Sequence, residues 1–397
     1  MICTGNPINI RICQIQADPF SFSRKAHRSF LFLFLLILII FSGCTKKPVG
    51  HLPEEALQRI GISPYEEADR LFRKDKYWLG GDGASSVDIG NGKVLWLFGD
   101  SFIGTGEHRD RHQSVMIRNS IAIQEGYDPV HATIHFYWHH KNNKPSPFFP
   151  CDENEYVWPA DGIVIRGKLF IALMIINKGR NALGFEIKNW QCVSVEDHAI
   201  FPERWVISYL NMPEPPSGLP LVLSTFLVEK KYIYGFFTHT KTHDIYLGRW
   251  QINDFCDGNL MKLAWWSEKT HKWQRPDSKA DGVSPILSGG QMEFTVEWHP
   301  FLKKYMLIQS EGFGNTAIGM RVAEKLTGPW SSFRPFFQTV KTNHPGIITY
   351  AAKSHPELDG ASIVLTYAVN SLDFEEVLTN NQIYFPVFLK GMIHNEK

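Results

Sequence analysis

Past residue 75, apolar positions fall in short continuous runs rather than in the three-to-four spacing of a helix. One run recurs five times: KVLWLFGDS (93–101), KLFIALMII (168–176), YIYGFFTHT (232–240), YMLIQSEGF (305–313) and SIVLTYAVN (362–370). Each is followed by a second apolar run: SIAIQ (120–124), NALGFEIKNW (181–190), DIYLGRWQI (244–252), TAIGMRVAE (316–324) and QIYFPVFLK (382–390). Three of the second runs carry a glycine near the middle, Gly184, Gly248 and Gly319. Aromatic and β-branched residues fill the runs, and turn residues separate them, so they read as strands. Helical patterns are confined to about 65–73 and 374–379. A strand unit repeated five times, with no compositional break near the middle, predicts an all-β, five-bladed β-propeller, a fold that manages its sheet edges by radial repetition. The proline-rich NMPEPPSGLP (211–220) falls between the second and third units, where an inter-blade loop belongs. A pair of β-sandwiches is the competing architecture.

The N-terminus follows a different pattern. Arg24, Lys25, His27 and Arg28 precede the apolar run FLFLFLLILII and then FSGC, ending at Cys44. A basic segment, a short apolar core and a small-residue site form a secretory signal. The run is short of the ~20 apolar residues that a spanning helix needs. Cysteine after Ser-Gly resembles a bacterial lipobox, which implies lipidation of Cys44. The expected organisation is a lipoprotein signal peptide at 1–43, a lipidated tether with a short helix at 44–74, and the propeller at 75–392. Thr45 after Cys44 favours the outer membrane or a periplasm-facing position in the cell envelope.

Composition narrows the partners. Lys and Arg exceed Asp and Glu by one, 41 against 40, which gives no electrostatic case for nucleic acid. Aromatic residues make up 13% of the chain, with 12 Trp and 28 Phe, a share that suits both sheet packing and stacking on sugars. Of the six cysteines, Cys151, Cys192 and Cys256 lie in the mature region, so at most one disulfide forms among them. His139 and His140 stand in a polar loop, HHKNNKPSP, and read as solvated; no metal site and no cofactor are predicted.

Candidate chemistry concentrates in YWLGGDGASSVDIGNGKVLWLFGDS (77–101). Asp82 and Asp100 each follow a glycine beside an apolar run. Between them IGNGK reads as a tight hairpin, because Asn-Gly accepts positive φ. The hairpin would bring both carboxylates to one end of a two-stranded unit, and paired carboxylates are the equipment of glycoside hydrolysis. The competing reading is that both aspartates are turn residues. Asp161, in WPADGIVIRGKLF, repeats the setting of Asp82, with Trp158 before it as Trp78 precedes Asp82. Glu293, in GGQMEFTVEW, starts the fourth unit. Asp161, Glu293, Trp78, Trp158, Asn119 and His355 are the expected substrate-binding residues, with a blade-building turn as the alternative for Asp161 and core packing or backbone satisfaction as the alternative for the last four.

GGDGASSVDIGNGKVLWLFGDS, WPADGIVIRGKLF, KLTGPWS (325–331) and YAAKSHPEL (350–358) together resemble the bacterial domain family of unknown function numbered 4185, part of which is glycoside hydrolase family 183, an arabinan-cleaving family. The resemblance spans about residues 77–390. It implies a five-bladed propeller and an inverting, endo-acting hydrolysis of a D-arabinan-like polysaccharide, with Asp82 and Asp100 matching the catalytic pair. Asp100, after WLFG, is expected to be the better desolvated and therefore the acid, with Asp82 as base; the reverse is open. Two other classes share the scaffold: a non-catalytic glycan-binding lipoprotein and a structural lipoprotein.

Overall fold

The computed structural model describes residues 60–393, apart from 151–154, 180–183, 276–282, 313, 315–316, 340–345, 359 and 361–362. The signal peptide, Cys44 and Cys151 lie outside the described residues.

Five antiparallel sheets of four or five strands follow one another along the described chain. The first runs Ser85–Gly90, Lys93–Phe98, Ser120–Glu125, Thr133–Tyr137. The second runs Glu155–Ile165, Lys168–Lys178, Phe185–Val195, Ile207–Tyr209. The third has five strands: Leu221–Glu229, Tyr232–His239, Ile245–Gln251, Ala264–Ser267 and Lys272–Gln274. The fourth runs Phe294–His299, Lys304–Ser310, Ala317–Ala323, Arg334–Gln338. The fifth runs Ile347–Ser354, Ile363–Ser371, Val387–Ile393 and is completed by Ile60–Pro64. The recurring apolar runs are the second strand of each sheet and the following runs are the third. They are apolar because both faces pack on neighbouring sheets: Val94 to Phe98 expose nothing, and the same holds for Leu169 to Leu173.

Ile60–Pro64 corrects the expected boundary at 75. This strand pairs with Val387–Ile393 in the register Ile60↔Ile393 to Pro64↔Leu389, so the folded unit starts well before it. The short helix Glu66–Asp69 continues that attachment. Asp69 accepts the Phe388 N–H at 2.7 Å, and Phe72 stacks on Phe388 at 5.2 Å and meets Trp96 edge-on at 4.9 Å. Each fully buried aromatic of this kind contributes about 2–3 kcal/mol. Joining the first described strand to the last covers a sheet edge that would otherwise be open. The expected helix at 374–379 is present as Phe374–Thr379.

HHKNNKPSP is not a loop. His139–Lys141 and Lys144–Ser146 form a hairpin turning at Asn142 and Asn143, whose φ values are 53° and 61°. His139 stacks on Phe148 at 5.0 Å. Cys192 and Cys256 are free thiols.

The first strands of the five sheets lie side by side and point the same way. Ser85 of the first bonds Asp161 of the second at 3.2 Å, Asp161 bonds Thr225 of the third at 2.7 Å, and Thr295 of the fourth bonds Ser354 of the fifth at 2.6 Å. Ser86 of the first bonds His355, just past the fifth, at 2.6 Å. These bonds tie the first strands to one another at starts, middles and ends alike. The alternating strand directions of the fifth sheet put Ile60 at the end opposite Ile347.

Candidate active site

One bent hairpin builds the site. Residues 78–81 pair with 101–104 in a small three-stranded sheet completed by Ser114–Ile117. Both arms then pass into the first large sheet as Ser85–Gly90 and Lys93–Phe98, which turn at Asn91 and Gly92 with φ of 55° and 73°. Asp82 and Asp100 face each other where the hairpin bends from one sheet to the other. The Gly99 N–H donates to the Asp82 carbonyl at 2.8 Å, and the Asp82 N–H to the Asp100 carbonyl at 3.3 Å. Glycine is needed here. Gly83 has φ of +91°, and a Cβ on Gly99 would stand 2.6 Å from Asp82 Oδ1.

The two carboxyls have opposite partners. Asp100 is held by cationic and N–H donors: Arg118 Nη1 donates to Oδ2 at 2.9 Å and Trp158 Nε1 to Oδ1 at 3.0 Å. Arg118 is itself steadied over the Tyr156 ring at 4.4 Å. Burial pushes the Asp100 carboxyl up, and Arg118 and Trp158 pull it back. Among the described residues, no cation stands beside Asp82. Its Oδ2 accepts from the Tyr350 hydroxyl at 2.7 Å, while burial, then the charge of Asp100, push it up to about 8. Burial raises both carboxyls, and the Arg118 cation opposes the rise at Asp100. Arg118, which sets the two environments apart, reaches Asp100 through the fold.

Glu293 belongs with the pair. Its Oε1 lies 3.8 Å from the point where a Cβ on Gly83 would stand, and its charge helps to keep Asp82 protonated. Trp158 also stands at the site, half-buried, with its ring edge-on to Phe185 at 4.8 Å.

The other four expected substrate ligands do not face the cleft. Trp78 is wholly buried; its Nε1 bonds Ser120 at 3.0 Å and its ring stacks on Phe136 at 4.3 Å. Asn119 is wholly buried and braces backbone, bonding the carbonyls of Phe149 and Val157 and the N–H of Phe149. His355 is buried between Ser86 and Thr366, with burial pushing its imidazole down to about 3. Asp161 is a brace between inner strands: Oδ1 accepts from Ser85, and Oδ2 from Thr225 and the Phe226 N–H at 2.7 Å each. The Lys353 ammonium lies near it and donates to the Ala160 carbonyl. Despite its sequence likeness to Asp82, Asp161 lies within a strand, Glu155–Ile165, whereas Asp82 lies at the bend between two.

No motif in the sequence marks Arg118, Asn370 or Tyr384 for a role. Tyr350 lay in a quoted motif without an assigned role. Tyr384 is buried with φ of 64°, unusual for an aromatic residue, and its hydroxyl feels both Asp82 and Asp100.

Residues 66–392 match the family described as Domain of unknown function (DUF5005), a different number from the domain that the motifs resemble. No curated protein matches the chain. Among solved structures, the chain is similar to a protein of Bacteroides ovatus described provisionally as a hydrolase. The TM-score is 0.67 at 14% identity, covering 87% of this chain and 97% of that one, and the two share a fold. More distant likenesses are the GH43_1 enzyme from Xanthomonas citri complexed with xylotriose (TM-score 0.42, 15% identity, 87% of this chain and 94% of that one) and an exo-β-1,3-galactanase from Phanerochaete chrysosporium with galactose (TM-score 0.40, 12% identity, 75% of this chain and 62% of that one).

Proposed function

We propose that this chain, which belongs to the family described as Domain of unknown function (DUF5005), is a glycoside hydrolase with Asp82 as general acid and Asp100 as general base. The observation that carries the reading is the opposed pair at the hairpin bend, Asp82 bonded by Tyr350 and raised by burial and by Asp100, its neighbour Asp100 bonded by Arg118 and Trp158. Such division of labour is what hydrolysis of an acetal requires. Asp82 donates its proton to the leaving glycosidic oxygen. Asp100 takes a proton from the attacking water, oriented by Arg118 and Trp158. Trp158 and Phe185 border the carboxylates with aromatic surface suited to a sugar face. The five sheets are read as five propeller blades, with the cleft at the mouth formed by the starts of the inner strands.

The finer assignments rest on the motif resemblance: an inverting mechanism and a polysaccharide substrate of the D-arabinan type. A lipid anchor at Cys44 and a place in the cell envelope rest on the N-terminal sequence signal. The test is incubation with a polysaccharide panel that includes D-arabinan, with proton NMR of the first product formed. Release of a product of inverted anomeric configuration is expected. Binding without release would identify a glycan-binding protein instead, and a retained configuration would make Asp100 a nucleophile.

A further inference from the structure

Tyr350 reaches Asp82 from the far side of the chain, 268 residues away. It sits on the inner strand of the fifth sheet, at a register shift between Tyr350 and Lys353 where Ala351 has φ of 54°. On the neighbouring strand, Asn370 Nδ2 donates to the Tyr350 hydroxyl at 3.0 Å. Asn370 Oδ1 accepts the Ser371 N–H at 2.7 Å. That last bond fixes the direction of the others. With its oxygen taken by a backbone N–H, the Asn370 amide turns its NH2 to Tyr350. The hydroxyl then accepts from Asn370 and sends its own proton to Asp82 Oδ2.

We propose that Asn370 and Tyr350 form a positioning device for the acid: they tie down Oδ2 of Asp82 and leave Oδ1, the oxygen against Gly99, to carry the transferable proton. The inference rests on the reading of Asp82 as the acid. Tyr350 is a positioning residue, because it acts through Asp82. The other ionisable groups facing Asp82 are Asp100, Glu293 and Tyr384. None of these is removed by the changes below.

The direction of the effect follows from the bond. A hydroxyl donating to Oδ2 favours the ionised carboxyl and so restrains the upward push on Asp82. Tyr350→Phe keeps the ring and removes that restraint. The Asp82 midpoint is expected to rise by about 1 unit, the net worth of one hydrogen bond to a charged group, and kcat to fall roughly tenfold with KM unchanged. Asn370→Asp acts by another route. It offers the Tyr350 proton a second acceptor, and it is expected to move the midpoint in the same direction.

The experiment is a 13C-carboxyl NMR titration of the full-length protein, with Asp82→Asn used to assign the Asp82 resonance, beside the alkaline limb of kcat/KM in each variant. An Asp82 midpoint that stays in place in both variants, each folded, overturns the proposal. Failure of hydrolysis as a reading would show itself separately, as full activity in Asp82→Asn or none in the wild type, while the titration would still decide the role of Tyr350.

Discussion

Replacing Arg118 with glutamine removes the guanidinium that opposes the rise at Asp100. Nη1 stands 2.9 Å from Oδ2, with the arginine side chain 36% exposed and the aspartate 14%. A hydrogen bond to a charged group is worth about 1.5–3 kcal/mol, which converts to about 1–2 pK units at 1.36 kcal/mol each. Arginine at this exposure is partly screened by water, so the lower end applies, about 1 unit. The Trp158 N–H, 3.0 Å from the other oxygen, remains. The sign is upward: without the cation, Asp100 holds its proton to higher pH. The base must be ionised, so the acid limb of kcat/KM moves up by about 1 unit. The alkaline limb, set by Asp82 near 8, stays where it is. The bell narrows and its maximum falls. Arg118→Lys, which keeps a charge but loses the stacking on Tyr156, is expected to shift the acid limb by less. The assay is kcat/KM at closely spaced pH values and constant ionic strength. An acid limb that stays in place in Arg118→Gln, or moves down, would refute the assignment of Asp100 as the base.

Three further outcomes are expected. Gly99→Ala places a Cβ 2.6 Å from Asp82 Oδ1; it should leave the circular dichroism spectrum unchanged and lower kcat by roughly 100-fold, the cost of displacing a catalytic group by about 1 Å. Asp161→Asn leaves the buried Lys353 with Glu293 as the remaining one of its two carboxylates and should cost about 3 kcal/mol in urea unfolding, with KM for substrate little changed in the folded protein. Stability should also rise on acidification from pH 8 to pH 5. Glu297 and Glu357, both chiefly by burial, are pushed up to about 7, so the folded state keeps protons that the unfolded chain gives up near its ordinary value of 4.5. Their contribution is full below that value and is lost as pH rises through 7, at about 2 kcal/mol per group. Glu297→Gln should flatten the dependence of Tm on pH, and an unchanged slope would count against the burial of that carboxylate.

The repeat was legible because a strand packed on both faces must be apolar throughout, and the second strand of every sheet is so packed. The catalytic hairpin was legible for a local reason. Asn91 and Gly92 dictate the turn, and the turn dictates that residues 82 and 100 oppose each other. Ile60–Pro64 was not legible, since its pairing partner lies at the other end of the chain. Trp78 and Trp158 show the limit of local likeness. Each precedes an acidic residue in a similar setting, yet Trp78 fills the space beside Phe98 and Phe136 whereas Trp158 donates to Asp100. The difference is one of place: Trp78 opens a strand of the small sheet, whereas Trp158 lies in the first strand of the second large sheet. Arg118 and Tyr350, which decide the protonation of the pair, reach it through tertiary contacts that spacing in the sequence does not encode.

The most direct measurement is the rate of reducing-sugar release from a polysaccharide panel including D-arabinan, by the wild type, Asp82→Asn and Asp100→Asn, with binding of the same glycans followed in parallel. The account predicts release by the wild type and a loss of at least about 1,000-fold in each variant, with binding retained. Release that survives either substitution would contradict it, as would binding with no release from any glycan.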